Sequence, residues 1–327
     1  MKKRQAGGRG TRRGRVPAIL AVTMAGLTGC LGGPDMSDRA DEIGAALSPL
    51  SGVEAVETIY QKGFDSGMKL GFRVTMAAGA ADGEASDVAA TLQNEIGDDF
   101  KRYNHELALI MPSLTIRVDD RANSDALAQR TPRLLDLAPT LNATHLIWKE
   151  QSDDVDFDTS LEVEGPQADP YDTLDAVRAQ FGSDEMTLRM RQPDDTKWYV
   201  DFPYSDRAQA ELNSKFGPIL PMTDQISIAD DQVTQQSVTI PEGPNELGRL
   251  RGIIELIDST ASEPWGFSWS VGQKGEPQPG PRTGGMVSVG GCDYDRMSEY
   301  EKDPAGHMTQ NAVAVQEQLR DTYDSCP

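Results

Sequence analysis

The sequence predicts an α+β protein made of consecutive small units, each a mostly antiparallel sheet with two helices packed on one face. Three observations predict it. Short stretches alternate apolar and polar residues, the period of a half-buried strand. Between them, apolar residues recur at the 3.6-residue period of an amphipathic helix. The order helix, strand, strand, helix, strand then returns along the chain. Each round opens at a Ser-Asp pair suited to a helix start: Ser37-Asp38, Ser124-Asp125 and Ser205-Asp206.

In the first round Ser37 is the N-cap, with Asp38 in the first turn and Ile43, Ala46, Leu47 and Leu50 at helical spacing. Val53 to Tyr60 is β-rich. Met68, Leu70, Phe72, Val74 and Met76 alternate with Lys69, Gly71, Arg73 and Thr75, and Gly63 to Gly67 supply the turn. Ala85, Val88, Ala89, Leu92, Ile96 and Phe100 form the next helical stripe. Glu106 to Val118 reads as a strand interrupted at Pro112.

The second round opens with Leu127, Leu134 and Leu137, where Pro132 predicts a kink or a late helix start. His145 to Gln151 is a strand. Val155, Phe157, Leu161 and Val163 then alternate with acidic and hydroxyl residues. Asp169-Pro170 pairs an N-cap with Pro at the first helical position, and the helix of Leu174, Val177 and Phe181 stops at Gly182. Met186, Leu188 and Met190 make one more strand; Trp198, Val200 and Phe202 make another.

The third round begins with Ala208, Leu212 and Phe216 and a stop at Gly217-Pro218. Ile226, Ile228 and Val233 to Ile240 form a strand pair. Pro244 starts a helix carrying Leu247, Leu250, Ile254 and Ile257. Phe267, Trp269 and Val271, then Met286 to Val289, close the round. The tail adds a helix with Ala312, Val315, Leu319 and Tyr323 on one stripe. The expected units are residues 37–120, 121–203 and 204–291, followed by a C-terminal helix in 292–327. One continuous sheet across all three segments would refute separate units.

Ahead of these units lies a basic head, Lys2, Lys3, Arg4, Arg9, Arg12, Arg13 and Arg15, then an apolar run from Val16 to Leu27. That is the layout of an export signal. The run is too short for the roughly 20 residues that span a bilayer. It ends in Leu27-Thr28-Gly29-Cys30, which resembles the lipobox of bacterial lipoprotein precursors. The resemblance implies that residues 1–29 are a signal peptide and that Cys30 becomes a diacylated, palmitate-bearing N-terminus. Residues 30–36 are then a tether, and the protein sits on the extracytoplasmic face of the cell membrane. Thr11 to Val16 leaves Sec and twin-arginine export both open.

Charge narrows the function further. Residues 1–29 hold seven of the 31 Lys and Arg and none of the 52 Asp and Glu, so the remainder carries 24 positive against 52 negative side chains, a net charge of −28. Phosphate backbones and anionic headgroups repel such a chain. Nucleic acid is excluded as a partner, and membrane contact comes from the lipid. With Cys30 acylated, Cys292 and Cys326 remain, and in an oxidising compartment an even pair predicts a disulfide.

The helix-strand-strand-helix-strand order is similar to that of BON domains, envelope modules associated with phospholipid surfaces. The likeness is one of topology, since that family's glycine pattern is absent.

No motif carries chemistry. His105, His145 and His307 lie in three different segments. There is no H-E-x-x-H, C-x-x-C, G-x-S-x-G, Walker A or G-x-G-x-x-G, so no cofactor or metal is expected. Asp154, Asp156 and Asp158 mimic the start of a calcium loop, but Thr159 and Gly165 occupy the positions that need Gly and Glu. An acidic strand face is the better reading. Trp265, Phe267 and Trp269 share one strand face and are expected to be core; the alternative is a platform for sugar rings. Gly275 to Pro281 is a hairpin connection, or else a partner-recognition loop.

Without a nucleophile–base set, the first functional expectation is a non-catalytic binding or assembly module near the membrane, with an envelope protein or glycan as partner. One alternative is an extracytoplasmic enzyme with a carboxylate site. Another is the solute-binding lipoprotein of a transporter, which requires two α/β lobes around a cleft.

Overall fold

Polar–apolar alternation resolves into twelve strands in a computed structural model, which describes residues 35–63, 67–80, 82–119, 124–152, 157–165, 169–257, 263–276, 280–292, 294 and 306–326. The elements come in groups of one helix and two strands. First are α1 (Ser37–Leu47), β1 (Val53–Gly63) and β2 (Gly67–Met76). Next come α2 (Asp82–Ile96), β3 (Asn104–Met111) and β4 (Leu114–Val118), then α3 (Ser124–Leu141), β5 (His145–Ser152) and β6 (Phe157–Glu164). The fourth group is α4 (Pro170–Phe181), β7 (Met186–Arg191) and β8 (Lys197–Phe202). The fifth is α5 (Asp206–Phe216), β9 (Thr223–Ala229) and β10 (Gln232–Ile240). Last are α6 (Glu246–Ile257), β11 (Trp265–Val271), β12 (Gly285–Val289) and a closing helix, α7 (Gln310–Tyr323).

The strands lie side by side in chain order from β1 to β12 in a single sheet. Within each group the two strands are antiparallel; between groups the neighbours are parallel. The reason is connection length. A tight turn reverses the chain, whereas a helix returns it to the end from which it started. The sheet is therefore mixed, with six antiparallel pairings to five parallel.

The expectation of separate sheets is also corrected. β4 pairs with β5 from Leu114↔Leu146 to Val118↔Glu150, across the expected boundary near 121. β8 pairs with β9 from Lys197↔Gln225 to Val200↔Ile228, across the one near 203. An isolated three- or four-stranded unit would leave two edges of unpaired N–H and C=O groups. Joining neighbours satisfies those edges. Residues Ser37–Pro327 make up one compact unit. A smaller correction falls at Glu106 to Val118, which is a hairpin: Met111 pairs with Leu114 around a turn at Pro112-Ser113.

Local signals hold at the helix starts. The Asp169 carboxylate accepts from Tyr171 N at 2.8 Å with Pro170 behind it, and Ser205 Oγ accepts from Ala208 N at 3.2 Å. α3 starts at Ser124 and runs through Pro132 and Pro139, so it does not start late.

The core lies between the sheet and the helices. Leu70, Phe72, Leu109, Ile116, Trp148, Leu161, Leu188, Trp198, Ile226, Val238 and Phe267 point inward from successive strands, each at most 1 % exposed. Ile43, Val88, Leu134, Leu174, Phe216, Leu250 and Leu319 meet them from the seven helices, also at most 1 % exposed. Each such side chain contributes about 1.5–3 kcal/mol of burial. Consecutive helices touch along the row, from α1–α2 to α6–α7.

One buried ion pair interrupts this apolar layer. Glu150, 5 % exposed on β5, accepts from Trp148 Nε1 at 2.7 Å and from Arg130 of α3. The Arg130 guanidinium lies 5.4 Å from the Trp148 ring.

The two ends of the sheet are finished differently. At β12, α7 and its tail take up the outer backbone groups. Met286 N donates to Gln316 Oε1 at 2.9 Å, and Arg320 Nε donates to Met286 O at 3.2 Å. Ser288 N donates to Asp324 Oδ1 at 3.2 Å and to Tyr294 OH at 3.1 Å, and Gly290 N donates to Tyr323 O at 2.9 Å. The disulfide joins Cys292 to Cys326, Cα to Cα 4.9 Å, and ties the tail to the strand it covers. At β1 no strand among the described residues flanks the outer side.

Candidate functional site

Every second residue of a strand points away from the helices. These outward positions carry the polar surface of the sheet, and the register lines them up in rows. One row runs Glu57, Arg73, Ala108, Arg117, Lys149, Ser160, Thr187, Asp201, from β1 to β8. The next crosses all twelve strands: Ala55, Thr75, Ile110, Thr115, Ile147, Glu162, Arg189, Tyr199, Ser227, Gln235, Gly266, Ser288. At about 4.8 Å per strand this surface is roughly 50 Å wide.

The face has two halves. From β1 to β8 it is charged. Arg73 pairs with Glu57 at 3.3 Å, while Lys149 at 2.5 Å and Arg189 at 3.7 Å converge on Glu162. Cross-strand pairs of this kind contribute about 0.2–1 kcal/mol each, less where water screens them. Arg117 stands directly beside Lys149 in the register, a like-charge neighbour that an acidic partner would relieve. From β9 onward the face carries one carboxylate, Asp224 bonded by Thr239, among the residues of its described rows and is rich in hydroxyls and amides: Gln225, Ser227, Gln235, Ser237, Ser268 and Ser288. A chain with a strong negative excess thus places two adjacent cations, Arg117 and Lys149, on β4 and β5 of this sheet face.

A second feature is a cleft of about 580 Å³ between α5, the β9–β10 turn and the end of α6. Its turn residues Asp230 and Asp231 both have positive φ, 50° and 64°, as a two-residue hairpin of this hand requires. Tertiary bonds hold that costly conformation. Asp231 accepts from Ser205 N at 2.8 Å and from Ser205 Oγ at 2.6 Å, so the turn braces the start of α5. Glu211 and Glu263 also line the cleft. A hydrogen bond from Lys215 holds the Glu211 carboxyl below its usual range. Tyr204 and Trp265 line the cleft too, each 2 % exposed. Neither the Tyr204 hydroxyl nor the Trp265 indole N–H has a partner among the described residues.

Beside the cleft, Tyr171 is pushed up to about 12 by burial, and burial raises Tyr204 as well. Elsewhere Lys274 crosses from the β11–β12 loop to Asp194 at 2.8 Å. Burial pushes that carboxyl up, but the bonds from Lys274 and Thr196 outweigh it and hold it below the ordinary value. None of these groups forms a nucleophile–base pair.

The residues singled out from sequence are scattered. Cys30 and Asp154 and Asp156 lie outside the described residues. His105 Nε2 bonds Phe100 O at 2.9 Å, His145 Nε2 bonds Thr115 Oγ1 at 2.9 Å, and His307 O accepts from Arg282 N at 2.8 Å. The imidazoles of His105 and His145 serve separate local contacts, the His307 bond is made by its backbone, and the three residues lie on different elements. Trp265, Phe267 and Trp269 are 2, 0 and 4 % exposed and stack on one another, at 5.6 and 6.1 Å between centroids. They are core, and no exposed platform for sugar rings exists there. Among the described residues no three His, Cys, Asp or Glu side chains gather as a metal site requires, and no helix is long and apolar enough to cross a membrane.

The adjacent pair of cations escaped the sequence reading. Its local signal, basic residues at outward strand positions such as Arg117 and Lys149, was visible, but only the register between strands puts them side by side. Comparison with family models, with curated proteins and with solved structures finds no match.

Proposed function

We propose that this chain is an exported lipoprotein, held on the extracytoplasmic face of the cell membrane by acylated Cys30. There it acts as a non-catalytic binding or assembly module for an envelope protein or glycan. The observation that carries the reading is the broad polar face of the twelve-stranded sheet, on which no convergent catalytic set stands among the described residues. A surface of that breadth suits an extended partner more than a small ligand, which is ordinarily enclosed in a cleft. The adjacent Arg117 and Lys149 favour acidic groups on that partner, and the strands from β9 onward offer hydroxyl and amide hydrogen bonds. The Leu27-Thr28-Gly29-Cys30 stretch supports the address.

Two experiments test the reading. Mass spectrometry of the mature N-terminus should find a lipid-modified Cys30; a peptide running unmodified through Thr28-Gly29-Cys30 would refute the anchor. Cross-linked capture from native membranes should recover a partner with the native chain and lose it with Arg117→Glu/Lys149→Glu. Equal capture by both proteins would show that the face is not the docking surface.

The carboxylates of the α5 cleft favour one second reading, an enzyme with an unfamiliar acidic site. Against it, a hydrogen bond from Lys215 holds the Glu211 carboxyl below its usual range and Asp231 is taken up by Ser205, so neither is placed as the proton donor of an acid–base pair. A transporter's solute-binding protein finds less support, since the strands from Val53 onward belong to one sheet.

A further inference from the structure

We infer that the outer edge of β1 is an interface with a second copy of this chain, which adds its own β1 antiparallel and continues the sheet across a two-fold axis. The first observation is the contrast between the two edges. α7, Tyr294, Asp324 and the Cys292–Cys326 bridge all cover the edge at β12. β1 is the longest strand of the sheet, eleven residues from Val53 to Gly63 without a proline, and no strand among the described residues flanks its outer side. A long bare edge is a template for pairing, and proteins ordinarily shorten it, cover it or use it.

The sequence of β1 then selects the occupant. A two-fold axis normal to the sheet leaves every side chain on its own face, so opposed residues must share parity and the axis must pass beside a residue. An axis at Glu57 sets Glu57 against Glu57 of the second copy, and that like-charge pair is disfavoured. An axis at Thr58 has no such conflict. It sets Val56 against Tyr60 of the second copy on both sides, Ala55 against Gln61, and Glu57 against Ile59. It also brings Lys62 level with Glu54 of the second copy, twice over. Glu54 is the extra residue where the register shifts between Val53 and Ala55, which leaves it free of the ladder to meet a cation.

The face below is firm enough to receive such a strand. Tyr60 stacks on Tyr103 at 5.7 Å with the two hydroxyls 3.1 Å apart. Gly44 of α1 has Thr58 Oγ1 at 2.4 Å from where its Cβ would stand, so α1 lies close over Thr58. A glycine there lets the helix sit tight against the edge strand.

Sedimentation of the Ser37–Pro327 unit at micromolar concentrations decides the point, together with two variants. The native unit should sediment at twice its monomer mass. Ile59→Lys should halve that mass with unchanged circular dichroism. Thr58→Cys should give a covalent dimer on mild oxidation, since the axis places that residue against itself. A native unit that stays monomeric overturns the inference. So does a dimer that survives Ile59→Lys while Thr58→Cys stays uncrosslinked. A monomer whose β1 amides become protected only on adding an extended peptide would replace the second copy with a foreign strand.

Discussion

Replacing both Cys292 and Cys326 with Ser tests how the last edge of the sheet is held. The bridge closes a loop with a sequence separation of 34 residues. In the chain-entropy model that closure stabilises by about 3.8 kcal/mol, and measured values usually fall at about 2–4 kcal/mol. What remains without it is the packing of Ala312, Val315 and Leu319 and the bonds from Met286, Ser288 and Gly290 to Gln316, Asp324 and Tyr323. We therefore expect the double variant to fold but to lose about 2–4 kcal/mol in urea denaturation. The loss should be local first. In hydrogen exchange the Met286, Ser288 and Gly290 amides should open before those of β5 to β8, because α7 is their cover. Unchanged stability would refute the loop-closure argument. Protection of these amides equal to the native level would refute the claim that the bridge holds the cover in place.

Three further outcomes are expected. Arg130→Ala leaves Glu150 charged and buried beside Trp148, and should cost about 3 kcal/mol by urea denaturation, at the low end for buried pairs because Arg130 is partly solvated. Asp224 is raised above the ordinary carboxylate value by burial, against the opposing bond from Thr239 Oγ1 at 2.7 Å. A group raised in the fold contributes stability that is present below its unfolded value and lost as pH rises through the folded one. Asp224→Asn should therefore raise the thermal midpoint at pH 7, and that gain should vanish below the ordinary value of 3.8; a gain that persists in acid would contradict the assignment. Asp231→Ala removes the acceptor for Ser205 N and Oγ and should lower stability by about 1–2 kcal/mol, with amide exchange at the first turn of α5 rising first.

Much of this architecture was legible in the residues. The helix starts at Ser124 and Asp169-Pro170, the strict alternation from Met68 to Met76, and the inward aromatics Trp265, Phe267 and Trp269 follow from capping chemistry and periodicity. Those are local rules, and they act over a few residues of chain. The pairing of Cys292 with Cys326 was legible as well, because the expected acylation of Cys30 would leave an even pair of thiols in an oxidising compartment.

What the sequence by itself determined is therefore the set of elements, the face each buries, and a strong acidic excess. Only the tertiary structure decided how those elements join. Hairpin neighbours and helix-linked neighbours pair alike through backbone groups, and backbone groups carry no side-chain signature. So nothing in the residues near 121 and 203 marked where one sheet would continue as the next. The same strand order and register, invisible along the chain, set Arg117 beside Lys149 and put β1 and β12 at the edges of the sheet. Edges and rows belong to the sheet as a whole, which is why they became visible only when all twelve strands were side by side.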